Sequence, residues 1–465
     1  MSDHHLRTRM PGAPAATAAP APRGPGPRTA AALRAAAPAL AVYAAVRALG
    51  LLVLWVAAHA SGKDPVVRLS GRWDSVWYQR IAENGYGHTV TLPDGALHSD
   101  LAFFPLLPAL ERGISEVTPL TLGGAGLLVA WTAGLLAAWG IYAVGAQLHG
   151  RRTGVVLAAL WGVYPTAFVQ SMAYTETLFT ALAAWALYAV LRGRWLPAGA
   201  LCVLAGLTRP SAAALIAALA ITAAATLVRE FRAGGRTGPL LRRNARMLAG
   251  VALAPLGWLA YVVFVAVREG SPFAYFEVQA QWGNNIDGGR ALAAFIAGLP
   301  LPPALGLCAA LGLLGWLVVL CVRQPLPVLV YTVAIVVISL IGAGYFGSRP
   351  RLMMPAFPLL LPPAVALARL RGGWGARGGL RAEAPGPMAG AEQPAATVAG
   401  ADREVPPPPD APAQPPALTA PAQPSAPSGS AQAAALTAPA AIVLAVLACA
   451  SAAFGAWTLL GAGPP

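Results

Sequence analysis

"AAPALAVYAAVRALGLLVLWVAAH", residues 36–59, is twenty-four residues of mostly aliphatic side chains, and its reading decides the class of fold. A bilayer's hydrocarbon core is crossed by about 20 predominantly apolar helical residues, so this run is long enough to span. It exceeds the apolar region of a typical signal peptide, although Ala58-His59-Ala60 imitates a cleavage site; we read it as an uncleaved first span with its N-terminus in the cytoplasm. The whole chain has the same character. Of its 465 residues 57% are hydrophobic and 11% charged, against about 25% charged in an ordinary soluble domain. Outer-membrane barrels need short alternating apolar and polar segments instead. The expectation is an all-α polytopic membrane protein.

Working outward, further apolar runs predict spans near 121–147, 154–169, 174–191, 196–208, 211–228, 247–267, 303–322, 325–343, 352–369 and 437–461, about 10–11 crossings in all. The net charge of +14 tests them. It comes almost wholly from arginine, since Lys63 is the only lysine, and the arginines cluster between apolar runs. Placing Arg151/Arg152, Arg192/Arg194, the 229–246 cluster, Arg323 and Arg369/Arg371 on one side satisfies the excess of cationic residues in cytoplasmic loops. This assignment needs 196–208 and 211–228 to be separate crossings. The break at Arg209-Pro210 supports that, because a residue before proline is driven from helical geometry. The charge pattern therefore signals topology, not nucleic-acid binding.

The tails differ. Residues 1–30 and 372–436 are rich in Pro and Ala without periodicity, ALTAPA occurring at 417–422 and 435–440, and are expected to be a disordered basic tail and a disordered cytoplasmic linker. The linker isolates the 437–461 span, which is expected to be dispensable for chemistry. Cys202, Cys308, Cys321 and Cys449 all fall in apolar runs without metal-ligand spacing and read as small core residues.

Three polar segments fall on the opposite, external side: about 61–120, 268–302 and 344–351. The first holds "GRWDSVWYQRIAENGY", residues 71–86, dense in aromatic and charged groups. As a helix it would set Trp73 and Trp77 on one face, with Asp74 one turn from Tyr78. Trp and Tyr favour the membrane interface, so the stretch reads as a surface helix presenting Asp74 beside an aromatic platform. An interfacial anchor whose Asp74 pairs with Arg72 or caps a helix fits as well. In "AFFPLLPALER", residues 102–112, Pro105 and Pro108 are expected to prevent a regular helix and leave a re-entrant or interfacial piece.

Glu176 and Arg209 are ionisable groups beside apolar spans, which makes them functional candidates. Arg349 and Arg351 in "SRPRLMMPAFPLL", residues 348–360, run against the cytoplasmic bias of positive charge. They suit a phosphate, which the planar guanidinium fork binds well, or an ion pair with an external carboxylate. "YFEVQAQWGNN", residues 275–285, adds amides and rings that suit a sugar. No nucleotide-binding glycine loop appears, and no His/Cys set has metal spacing, so neither metal nor cofactor is expected.

Together Trp73-Asp74-Ser75-Val76-Trp77-Tyr78 with Ile81-Ala82 and Gly85-Tyr86, then Phe103-Phe104-Pro105-Leu106 with Pro108, resemble the first-loop signature of the GPI mannosyltransferase 2 (PIG-V-like) family. Tyr174-Thr175-Glu176, Thr208-Arg209-Pro210 and Arg351 with Phe357-Pro358 resemble its later motifs, over about residues 36–370. The resemblance implies the GT-C class of membrane glycosyltransferases, a helical bundle whose first external loop, 61–120, carries interfacial helices. It further implies an inverting transfer of a hexose, mannose by the family's habit, from a polyprenyl-phosphate donor to a lipid or glycan acceptor. The transfer would take place on the external face of the cell membrane, in a multi-pass enzyme. Asp74 matches the acidic residue that serves as catalytic base. Trp73, Trp77, Tyr78, Glu176, Arg209, Arg349 and Arg351 become the substrate-binding candidates, the arginines for the phosphate. The rival expectation is a transporter of polyprenol-linked sugar or lipid without catalysis, which internal repeats with matched broken helices would favour; none is convincing in this sequence.

Overall fold

The computed structural model describes residues 27–92, 95, 97–234, 236–344, 346–370 and 436–461. The expected tail 1–30 and linker 372–436 lie outside the described residues, apart from 27–30 and 436 at their inner ends. The chain begins with α1 (Pro27–Ala60), followed by α2 (Pro65–Ser70), α3 (Asp74–Asn84) and a two-stranded antiparallel hairpin of β1 (Thr89–Thr91) and β2 (Leu97–Ser99), which pairs Val90 with His98. Next come α4 (Leu106–Val117), α5 (Leu122–His149), α6 (Arg151–Gly162), α7 (Glu176–Leu191), α8 (Trp195–Gly206) and α9 (Ala212–Arg232). The third quarter holds α10 (Thr237–Arg243), α11 (Ala245–Leu253), α12 (Leu256–Glu269), α13 (Ala274–Gln281) and α14 (Arg290–Ala297). The last elements are α15 (Leu301–Cys321), α16 (Leu326–Leu340), α17 (Arg349–Met353), α18 (Leu361–Arg369) and α19 (Ala438–Leu460).

The protein is an all-α polytopic membrane protein, the short hairpin aside. Among the described residues six stretches are long and apolar enough to cross a bilayer: Thr29–Ala60, Leu122–His149, Ala212–Arg232, Ala245–Glu269, Leu301–Cys321 and Ala438–Leu460. The pair Phe346–Met353 and Phe357–Arg369, bent by 76°, makes a seventh if it counts as one span. Glu176–Leu191, Trp195–Gly206 and Leu326–Leu340 are apolar but shorter. The crossing expected at 154–169 is instead the twelve-residue α6 followed by a 3-10 turn, Ala167–Ser171. The first helix starts at Pro27, inside the expected tail.

Helices α5, α6 and α7 form the centre, with Phe179, Ile141 and Leu157 fully buried there and Trp161 fully buried against Tyr43 of α1. Lipid gives apolar helices no hydrophobic reason to associate, so close packing over small residues takes over. A Cβ on Gly145 would stand 2.9 Å from the Cα of Gly154, and one on Gly140 would stand 2.9 Å from the Ala184 methyl. Cys202 and Cys321 are buried as expected of core residues, but Cys308 and Cys449 are exposed.

One expectation fails for a local reason. Residues 106–112 are not irregular: α4 is a regular helix with Pro105 as its N-cap and Pro108 in its first turn, and only 103–105 before it are non-helical. A proline there gives up an N–H that has no intrahelical partner anyway, and its ring meets no preceding turn. The last span, which the linker separates in sequence, packs against the bundle. Helix α19 lies parallel to α1, and the Lys63 ammonium just beyond α1 donates to the carbonyl of Leu460 at 2.7 Å. The ends of both helices thus meet at one end of the molecule.

At that same end the three polar segments assemble. Trp282 Nε1 donates to Ser99 O at 2.9 Å, Arg268 Nη2 to Tyr86 O at 2.8 Å, and Ile286 bridges to Gly342. Asp100, fully buried, accepts from the backbone N–H groups of Gly87 and His88 and so fixes the base of the hairpin.

Candidate functional site

Asp74 opens α3, where an acidic side chain is favoured by the partial positive charge of a helix N-terminus. The residue before it is unusual. Trp73 has φ 53° and ψ −127°, the only positive φ of a non-glycine among the described residues. Such backbone costs on the order of 1–3 kcal/mol and persists only where its surroundings impose it. Here the Ser75 hydroxyl donates to Arg72 O at 2.6 Å and accepts from Arg72 N at 3.1 Å, pinning the turn from one side. The Arg72 guanidinium lies 4.1 Å above the Trp73 ring, and Asp74 N donates to the Tyr174 hydroxyl at 3.3 Å. Because the helix starts at Asp74, Trp73 and Trp77 do not share the helical face expected of them.

Asp74 does not pair with Arg72. Its partner is Arg351, whose Nη1 donates to Asp74 Oδ2 at 2.7 Å. Arg351 sits in α17, at the bend of the seventh span, and its Nη1 is also 3.8 Å from Glu176 Oε1. Glu176, the first residue of α7, has Arg209 Nη1 2.6 Å from the same Oε1, an ion pair whose angles are not those of a hydrogen bond. Arg209 also donates to Thr175 Oγ1 at 3.3 Å. It reaches the site because Pro210 ends α8 and frees the chain between α8 and α9. The first loop is tied to that break where Leu106 N donates to Leu207 O at 2.9 Å. The result is a chain of alternating charge, Asp74–Arg351–Glu176–Arg209, drawn from four separate stretches and neutral in sum.

The four are not equally accessible. The Glu176 side chain is 1% exposed and those of Arg209 and Arg351 13%, whereas Asp74 is 27% exposed. Glu176 is thus the buried member of the cluster and Asp74 its more accessible carboxylate. Tyr174 and Thr175 complete the arrangement. The Tyr174 ring lies 5.1 Å below the Arg351 guanidinium, and Thr175 Oγ1 is hydrogen-bonded to the Tyr78 hydroxyl at 3.2 Å. Burial and the nearby Asp74 carboxylate raise the Tyr78 pKa and keep the phenol protonated.

Of the residues expected from sequence, the structure brings Asp74, Tyr78, Glu176, Arg209 and Arg351 together, with Trp73 beside them. Arg349 is placed elsewhere. Its Nη1 donates to Leu340 O at 2.8 Å and its Nη2 to Gly342 O, closing the C-terminal end of α16, with the guanidinium over the Phe346 ring. Trp77 points along α3 into a separate half-buried aromatic cluster. It stacks on Phe103 at 5.6 Å, meets Trp282 edge-on at 5.1 Å and neighbours His88. The 275–285 stretch contributes only Trp282 to that cluster, while Tyr275 is buried against Phe104 and Tyr261. Sequence reasoning passed over Tyr174, Thr175 and Arg72 as site residues. The available signal was a run of polar side chains set directly against an apolar helix. Among the described residues no three His, Cys, Asp or Glu side chains come together.

No family model matches the chain, and no curated protein does. Among the solved structures similar to it are two crystal structures of ArnT from Cupriavidus metallidurans, one bound to undecaprenyl phosphate and one in the apo state. Identity is 17% with the first and 18% with the second, and each has a TM-score of 0.45. In each case the match covers 71% of this chain and 60% of the ArnT chain, so the present chain spans less than two thirds of their length.

Proposed function

We propose that the protein is a membrane glycosyltransferase of the GT-C class that moves a hexose, mannose by the first-loop resemblance, from a polyprenyl-phosphate donor to a lipid or glycan acceptor at the external face. One observation carries this reading: the neutral Asp74–Arg351–Glu176–Arg209 chain, with its outermost carboxylate accessible and both guanidiniums within reach. A transfer from a lipid phosphate needs a base for the acceptor hydroxyl and cations for the departing phosphate, and the cluster holds both kinds of group.

In this reading the donor phosphate takes the place of Asp74 at the Arg351 guanidinium, with Arg209 as its second cation. Charge-assisted hydrogen bonds to phosphate replace those to carboxylate at little net cost. Asp74, released, accepts the proton of the acceptor hydroxyl as that oxygen attacks the anomeric carbon. The new C–O bond forms on the face opposite the phosphate, and the old C–O bond breaks with its electron pair going to the phosphate oxygen. Polyprenyl phosphate leaves, its charge held by the two arginines, and configuration at the anomeric carbon inverts. Glu176 stays buried and keeps the arginines at their spacing.

The test is transfer of radiolabelled mannose from polyprenyl-phosphate mannose to membrane extracts, wild type against Asp74→Asn, at matched expression. Loss of transfer supports the reading, and retained transfer removes Asp74 from the base role. A transporter without catalysis would move the labelled donor across vesicles in both forms and transfer nothing.

A further inference from the structure

The turn before Asp74 is tied to a helix far away in sequence. The last backbone carbonyls of any helix lack intrahelical donors and carry partial negative charge. At the end of α19 they are met by the two cations of the first loop. Lys63 Nζ donates to Leu460 O at 2.7 Å, and Arg72 Nη1 donates to Leu459 O and Gly461 O, each at 3.0 Å. The Arg72 guanidinium also covers the Trp73 ring, and the Arg72 backbone is gripped by Ser75 on both its N–H and its C=O. Arg72 therefore joins α19 to the strained turn that aims Asp74.

The position of α19 is itself fixed by shape. Gly455 lets the Phe168 side chain lie against the helix: a Cβ there would be 2.7 Å from Phe168 Cβ. Ser451 Oγ donates to Tyr164 O at 3.3 Å one turn earlier. The register of α19 along α1 thus sets the height of its terminal carbonyls, and those carbonyls set the place of the Arg72 side chain.

We propose that α19 and Arg72 form a positioning device for Asp74, so that the C-terminal helix is a working part of the active site and not an accessory anchor. The inference rests on Asp74 being the base. Arg72 touches neither donor nor acceptor in this scheme; it holds the left-handed turn at Trp73, from which α3 and its first carboxylate project. With the tie gone, Trp73 relaxes to an ordinary backbone conformation and Asp74 turns away from the Arg351 side. The donor phosphate, gripped by Arg351 and Arg209, is still bound.

The experiment measures donor titrations of mannosyl transfer, with polyprenyl-phosphate mannose as probe, in membranes holding full-length wild type, Arg72→Ala, Arg72→Lys, Gly455→Leu and Asp74→Asn. The expected result for Arg72→Ala and Gly455→Leu is a kcat lowered roughly 100-fold, the scale of a misplaced reacting group, with donor half-saturation unchanged. Arg72→Lys, which can still reach the carbonyls, keeps more of the rate than Arg72→Ala. A wild-type kcat in Arg72→Ala beside an inactive Asp74→Asn overturns this inference alone and leaves the enzyme reading intact. A fall in kcat accompanied by a raised donor requirement in both Arg72→Ala and Gly455→Leu also overturns it, since that is the mark of general structural damage. Transfer that persists in Asp74→Asn removes the base and this device with it.

Discussion

Arg351 donates to Asp74 across 277 residues of chain, at 2.7 Å, and stands 3.8 Å from Glu176 with the same nitrogen. One guanidinium thus serves two carboxylates. If it exchanges Asp74 for the donor phosphate, its loss falls on donor binding. Arg351→Gln should raise the half-saturating donor concentration roughly tenfold to a hundredfold, the worth of a hydrogen bond to a charged group. Titration of polyprenyl-phosphate mannose against transfer rate checks this, and an unchanged titration makes Arg351 purely structural.

Glu176 is the buried member of the cluster, and Arg209, 2.6 Å away, is its nearest partner. Removing one partner of a buried pair leaves the other charge uncompensated, at about 3–5 kcal/mol. Glu176→Gln should therefore lower the thermal midpoint in detergent sharply. The double variant Glu176→Gln/Arg209→Gln should recover part of the loss, and a double variant no better than the single one contradicts the pairing.

Tyr174 holds the Asp74 backbone through its hydroxyl while its ring supports Arg351. Phenylalanine keeps the ring and removes the hydroxyl. Tyr174→Phe should slow transfer about tenfold, as the loss of one orienting hydrogen bond does, with the donor requirement unaltered. An equal change in rate and donor requirement would place the hydroxyl's role in folding.

Glu111 lies outside the spanning helices, on the inner face of α4, fully buried with neither carboxylate oxygen hydrogen-bonded. Burial pushes its pKa up from the ordinary 4.5 to about 9. The folded protein therefore keeps a proton that the unfolded chain releases above 4.5. Its contribution to stability is whole below pH 4.5 and is lost as pH rises toward 9, by up to about 1.4 kcal/mol per pH unit. Thermal midpoints between pH 5 and pH 9 should fall in the wild type and flatten in Glu111→Gln; parallel curves would show that Glu111 is ionised in the fold.

Much of this was readable in the sequence because charge is rare in an apolar chain. Glu176, Arg209 and Arg351 stand out by their surroundings alone, and Asp74 by the aromatic residues beside it. Their pairing was not readable, since nothing local joins residue 74 to residue 351. Arg349 and Arg351 looked equivalent, yet two residues apart on a helix they face different ways, and one caps α16 while the other enters the site. Trp73 and Trp77 had the spacing of one helical face, but the helix begins a residue later than that pattern assumes. A left-handed tryptophan has no local signature, since only glycine advertises that backbone. In the same way the 65 residues from 371 to 435 separate α19 in sequence and say nothing of where it docks.

Because α1 and α19 run parallel and Lys63 ties their ends together, Gly461 emerges on the same side as the carboxylate of Asp74. A fluorescent or enzymatic reporter carried beyond Gly461 would then read out, in living cells, on which side of the membrane Asp74 lies.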